Sequence, residues 1–141
     1  MRRIVVIACG ILILLVGSTF AFTDNGDNTI TDSKTGLVWQ KLFSLQQISW
    51  EKARSYCQEL TLVGKTDCRL PKLKELESIV VKSKKTGPKI NEKYFPHTIS
   101  ADYWTADTSG YGGAWIVDFR SGGSFFSKPE LYYVRCVRSR N

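Results

Sequence analysis

The side chains that could do chemistry are few. They are the cysteines Cys9, Cys57, Cys68 and Cys136, the sole histidine His97, an aspartate set at Asp24, Asp27 and Asp32, the Asp67-Cys68-Arg69 triplet, and a run of lysines beyond position 81. The aspartates invite a calcium reading, but an EF-hand loop needs ligands at alternate positions, a glycine at the sixth and a distant glutamate, and this spacing supplies none of that frame. A turn with solvated carboxylates is the expectation. His97 follows Pro96 with no base or nucleophile to pair with, so a surface or locally bonded histidine is expected. Asp67 and Arg69 flank a cysteine with nothing beside them to complete a catalytic set; they read as a loop brace through a carboxylate–guanidinium contact. No catalytic residue, metal ligand or cofactor site is expected.

Binding chemistry has better candidates. Lys82, Lys84, Lys85, Lys89 and Lys93 fall within a dozen residues around Gly87-Pro88. Such a loop is first a solvated connection. If it binds, sulfated or carboxylated glycans are its targets, with an affinity that weakens in salt. Tyr111, in the glycine-rich Ser109–Gly113 segment, is a candidate stacking residue. Trp39, Trp50, Trp104 and Trp115 are assigned to the core.

These residues are positioned by a recognisable set of elements. In the middle of the chain, Leu70 precedes Pro71 and is pushed toward extended geometry, and Pro71 suits a first helical turn. Leu73, Leu76 and Val80 then form an apolar stripe. Upstream, Ser49 caps a helix beginning at Trp50, with Trp50, Ala53, Cys57 and Leu60 on one face and Gly64 at its exit. Thr29–Thr31 and Leu37–Leu42 read as strands, as do Tyr103–Thr105, Trp115–Phe119 and Tyr132–Arg138. In the last of these, Tyr132, Val134 and Cys136 share a side. Trp115, Val117 and Phe119 share a face, with Ile116 opposite. The class is α+β, two helices packed on antiparallel sheets.

The first 21 residues read as a signal peptide. Arg2 and Arg3 form the basic start, Ile4–Val16 the apolar stretch, and Thr19 and Ala21 the small residues before a cut at Phe22. An uncleaved membrane anchor is the competing reading, since Ile4–Phe22 approaches spanning length. Residues 22–141 form one domain. Cleavage lowers the net charge from +7 to +5, a balance compatible with anionic surfaces or polysaccharides. An exported chain without a nucleic-acid motif is not expected to bind nucleic acid, nor a membrane once cleaved. Three cysteines then remain in a compartment that permits disulfides, enough for one bridge and one leftover thiol. Spacing alone does not choose the pair.

Asp24-Asn25-Gly26-Asp27, Thr35-Gly36-Leu37-Val38-Trp39, the Trp50/Ala53/Cys57/Leu60 helix, Arg69-Leu70-Pro71 with Lys74-Glu75-Leu76, Tyr94-Phe95-Pro96, Tyr103-Trp104-Thr105 and Tyr133–Arg138 together resemble the Lcl C-terminal domain family, named for a bacterial collagen-like surface adhesin. The resemblance spans residues 22–138. It implies a C-type-lectin-like fold, distantly related to the sulfatase-modifying factor domain. It also implies a bridge from the first helix to the final strand, here Cys57–Cys136. One departure is Cys68, where the family pattern has tryptophan. As the odd thiol it is either buried and inert, the preferred reading, or exposed and able to link a homodimer. The function implied is an exported, non-enzymatic binding or adhesion domain for an anionic glycan or a cell-surface protein. The alternatives are a sulfatase-modifying-factor-like enzyme and a structural subunit of a surface assembly.

Overall fold

The structure is a computed structural model that describes residues 21–109 and 112–140. The expected signal peptide lies, but for Ala21, outside the described residues. Among the described residues no helix is long and apolar enough to cross a membrane. Three short strands open the fold: β1 (Phe22–Asp24), β2 (Thr29–Asp32) and β3 (Leu37–Gln40). Helices α1 (Trp50–Glu59) and α2 (Leu73–Ser78) follow, then β4 (Asp102–Thr108), β5 (Ala114–Asp118), β6 (Ser124–Ser127) and β7 (Val137–Ser139). They build two antiparallel sheets, ordered β1-β2-β3-β7 and β4-β5-β6. The expected α+β class with two helices is the architecture observed.

Strands β4 and β5 of the second sheet are covered on both faces. Tyr103 pairs with Val117 and both enter one core; Trp104 pairs with Ile116 and both enter another. Strand side chains alternate faces, so neighbouring residues serve different cores. The first core adds Ile30, Trp39, Leu76, Phe95 and Phe119; the second takes Ala53 and Cys57 from α1. The expected partition of Val117 and Phe119 from Ile116 holds.

Several local expectations are revised. Pro71 lies before the helix, not in its first turn: Lys72 is the N-cap, and the Glu75 carboxylate accepts its backbone N–H at 2.7 Å. Gly64 does not end α1, which stops at Leu60. It forms instead, with Val63, a tight reversal between Leu62 and Lys65 in which both central residues have positive φ, 53° and 69°. That conformation is easy for glycine and strained for a β-branched residue. The aspartates are not simply solvated. Asp24 accepts from Gly26 and pairs with Lys41, Asp27 accepts from Thr29, and the buried Asp32 accepts from Lys34 and Thr35.

The expected strand over 132–138 is broken, because its hydrogen bonds go to several partners. Tyr132 exchanges bonds with Ile48, Tyr133 bonds Asp102 and Trp104, Val134 bonds Ser44, and Cys136 bonds Gln40; only Val137–Ser139 forms a regular ladder, on β3. The segment therefore runs between the two sheets and is buried on both sides, with Val134, Arg135, Cys136 and Val137 each 0% exposed.

Three anchors fix this arrangement. The first is the Cys57–Cys136 disulfide, with Cα atoms 5.5 Å apart, which joins α1 to the terminal segment across 79 residues. The pairing implied by the family resemblance is the one present. The second is Arg135. Its Nη1 donates to the carbonyls of Gln40 (3.0 Å), Lys41 and Leu42 (2.9 Å), and its Nη2 to Thr98 Oγ1 at 2.7 Å. Its guanidinium carbon lies 5.0 Å from the Phe95 ring centroid and 5.7 Å from that of Phe43. Burial pushes its pKa down to about 10, which leaves it charged at neutral pH. The third is Arg69. It does not brace Asp67, as expected, but reaches six residues on to grip Glu75 in a two-point contact (2.7 and 2.9 Å). Asp67 is exposed. A planar guanidinium matches both carboxylate oxygens at once, and the helix start holds Glu75 in place to receive it. Burial pushes the Glu75 carboxyl up, but Arg69 and the Lys72 N–H outweigh it and hold its pKa below the ordinary value.

These anchors predict three stability outcomes. Replacing both bridge cysteines by alanine should cost about 4 kcal/mol in urea unfolding, from restored freedom of the unfolded chain. Arg135→Met should cost about 3 to 5 kcal/mol in the same assay, because three carbonyls lose their donor in the interior. The Arg69–Glu75 contribution should be complete above the unfolded glutamate pKa of about 4.3 and fade as pH falls through the lower folded value. Melting curves of the native protein and Glu75→Gln should accordingly differ most at neutral pH and converge in acid.

Candidate functional site

The lysine loop is more occupied than its composition suggests. Lys84 pairs with Glu92 and donates to the Pro88 carbonyl at 3.0 Å, while Lys89 Nζ turns inward to the Lys84 carbonyl. Backbone bonds from Val81 to Lys89 and from Lys89 to Phe119 tie the loop to the sheet. Lys93 lies 5.5 Å from the Tyr94 ring centroid. Lys82 and Lys85 are exposed. Two of the five lysines, Lys84 and Lys89, thus hold the loop's own shape. Tyr111 lies outside the described residues. His97 is exposed with a φ of 60°.

Convergence occurs between α1 and the central stretch. A cavity of about 420 Å³ is lined by Trp50, Arg54 and Gln58 from α1, Arg69, Leu70 and Lys72 from the central stretch, and Ala106 and Thr108 from β4. Ser49 starts the helix as expected, its hydroxyl accepting from the Lys52 N–H at 3.3 Å. One helical turn separates Trp50 from Arg54, which places the guanidinium carbon 5.0 Å from the indole centroid. The indole N–H donates to the Thr105 carbonyl at 2.9 Å, fixing the ring against β4. Across the cavity the ion pair to Glu75 orients Arg69, and Lys72 is fixed by the hydrogen bond that its backbone N–H donates to Glu75. Three cations and an aromatic ring therefore line the space, and no carboxylate is among the lining residues.

All four tryptophans are expected in the core. Trp39 and Trp104 are there, at 0% and 1% exposure, while Trp50, packed against the second core, and Trp115 on β5 are half-buried. The signal that could have found Trp50 was its pairing with Arg54 at i, i+4. Lys72 and Arg69 were out of reach of any such spacing rule, since β4 and the helix start bring them to the cavity. Cys68, expected as the odd thiol, is free and 4% exposed, packed in the core shared with Cys57 and Leu70. Burial, then the neighbouring Asp67 charge, pushes its thiol up and away from the reactive thiolate.

Among the described residues no three acidic, histidine or cysteine side chains gather in a manner that could hold a metal. No curated protein matches the chain. The model of the Lcl C-terminal domain matches residues 28–138, most of the chain and every element from β2 to the bridged terminal segment. The chain belongs to the Lcl C-terminal domain family.

Proposed function

We propose that this chain is an exported, non-enzymatic binding domain of C-type-lectin-like architecture whose ligand is an anionic saccharide, held in the cavity between α1 and the central stretch. The observation that carries this reading is the composition of that cavity: Arg54, Arg69 and Lys72 beside the Trp50 ring, with no carboxylate lining it. An acidic sugar offers the complement, a carboxylate or sulfate for the guanidinium groups and a C–H face for the indole. Neither an imidazole nor a carboxylate is among the residues lining this cavity, which favours retention of a ligand over its turnover. A structural disulfide suits an oxidising compartment, which supports export. The burial of Cys68 disfavours a dimer linked through it.

The test is retention on an immobilised polyuronate or sulfated polysaccharide at two salt concentrations. The Arg54→Ala/Lys72→Ala double variant should bind about tenfold more weakly, with a shallower salt dependence. Lys82→Ala/Lys85→Ala should change binding by less than about twofold, as expected for exposed charges remote from the ligand. The reverse ranking would move the site to the lysine loop, and a native protein that passes through every acidic matrix unretained would overturn the reading.

A further inference from the structure

A second cavity, of about 320 Å³, is also lined by Trp50. The two share Trp50 and Thr108 in their linings, so they adjoin there. Their chemistry differs. The first is lined by Arg54, Arg69 and Lys72; the second by Glu51 and Glu130, opposed by Lys128 alone among its lining residues. Its apolar wall is made by Trp50 and Trp104, and both indole donors are already spent: Trp50 Nε1 on the Thr105 carbonyl at 2.9 Å, Trp104 Nε1 on the Ile48 carbonyl at 2.8 Å. Trp104 is 1% exposed and backs this wall from the core, so the half-buried Trp50 ring presents the π-density, with no hydrogen-bond donor left over, and π-density beside carboxylates attracts cations and C–H groups. Each space falls at the lower end of single-ligand pockets, about 300–1,000 Å³, which suits one sugar unit apiece.

We propose that the second cavity is a subsite for a protonated amine, so that the preferred saccharide carries an amino sugar next to its acidic one. This rests on the assignment of the acidic sugar to the first cavity. A second acidic sugar at this position would face Glu51 and Glu130 and be repelled. An N-acetylated sugar would keep the contact with the ring but lose the charge. An amine keeps both, and the two cavities select a repeat with alternating charge over a uniform polyanion.

The probes are tetrasaccharides alternating a hexuronate with glucosamine, in free-amine and fully N-acetylated forms, titrated calorimetrically at about pH 6, where the amine holds its proton. The free-amine form should bind about fivefold more tightly, a margin set by exposed charge pairs and cation–π contacts. The Glu51→Gln/Glu130→Gln variant should lose that preference. Equal affinity of the native protein for the two forms, with Arg54→Ala weakening both, overturns the amine subsite and leaves the acidic-sugar reading standing. A preference that survives the double glutamine variant also overturns the subsite. Failure of the native protein to bind either form overturns both readings, and tighter binding of a short peptide with adjacent acidic and basic residues overturns the saccharide assignment.

Discussion

A guanidinium buried with no carboxylate survives in a fold only where oxygen acceptors are brought to it, and Arg135 sets that condition for much of this domain. The carbonyls of Gln40, Lys41 and Leu42 must turn inward just after β3, and Thr98 must stand opposite them on a loop almost sixty residues later in sequence. Thr98 in turn donates to the Phe95 carbonyl, so the ring that flanks the charge is held by the same network. Leaving such a charge unsatisfied would cost several kcal/mol, comparable with the whole margin by which a domain of this size stays folded. The terminal segment is thus fixed between the sheets by charge on one side and by the disulfide one residue later on the other.

That fixed segment explains how a short helix can carry one wall of the cavity. Helix α1 is only ten residues long and an isolated helix of that length is marginal in water. The bond from Cys57 to Cys136 and the burial of Ala53 hold it against β4, and the Trp50 indole bonded to Thr105 sets its outer edge. On the facing side Arg69 pairs through its backbone with Val137, next to Cys136 itself, while its side chain grips Glu75. Both walls of the cavity are therefore referred to the same two residues of the terminal segment. Trp50, Arg69 and Lys72 are held by contacts within the protein, and a site organised in advance spends less ordering entropy on binding.

Cys68 fits the same scheme. It is 4% exposed in the core that also holds Leu62, Leu70 and the bridged cysteines. The strained Val63 sits in the tight turn that lets Leu62 fold back beneath. The thiol is kept as a small hydrophobe, apart from the disulfide chemistry of its neighbours.

The amino-acid sequence alone determined the local features whose physics is local. The cap at Ser49, the inward face of α1 with Cys57 on it, the alternation along β5 and the α+β class all follow from periodicities of 3.6 and 2 and from capping chemistry. The order of short motifs was enough to place the chain in its family, and through it the disulfide. Tertiary structure alone decided matters in which partners are far apart in sequence. It set Arg69 on Glu75 and not on Asp67, turned Lys84 and Lys89 into the loop they belong to, and divided the hydrogen bonds of residues 132–136 among strands and loops from opposite sides of the molecule. It also drew Arg54 and Trp50 together with Arg69 and Lys72. The reason is that a charged side chain reaches several ångströms in any direction, and which oxygen or ring it meets depends on where the backbone of a distant segment has been packed, a quantity that no spacing within the segment encodes.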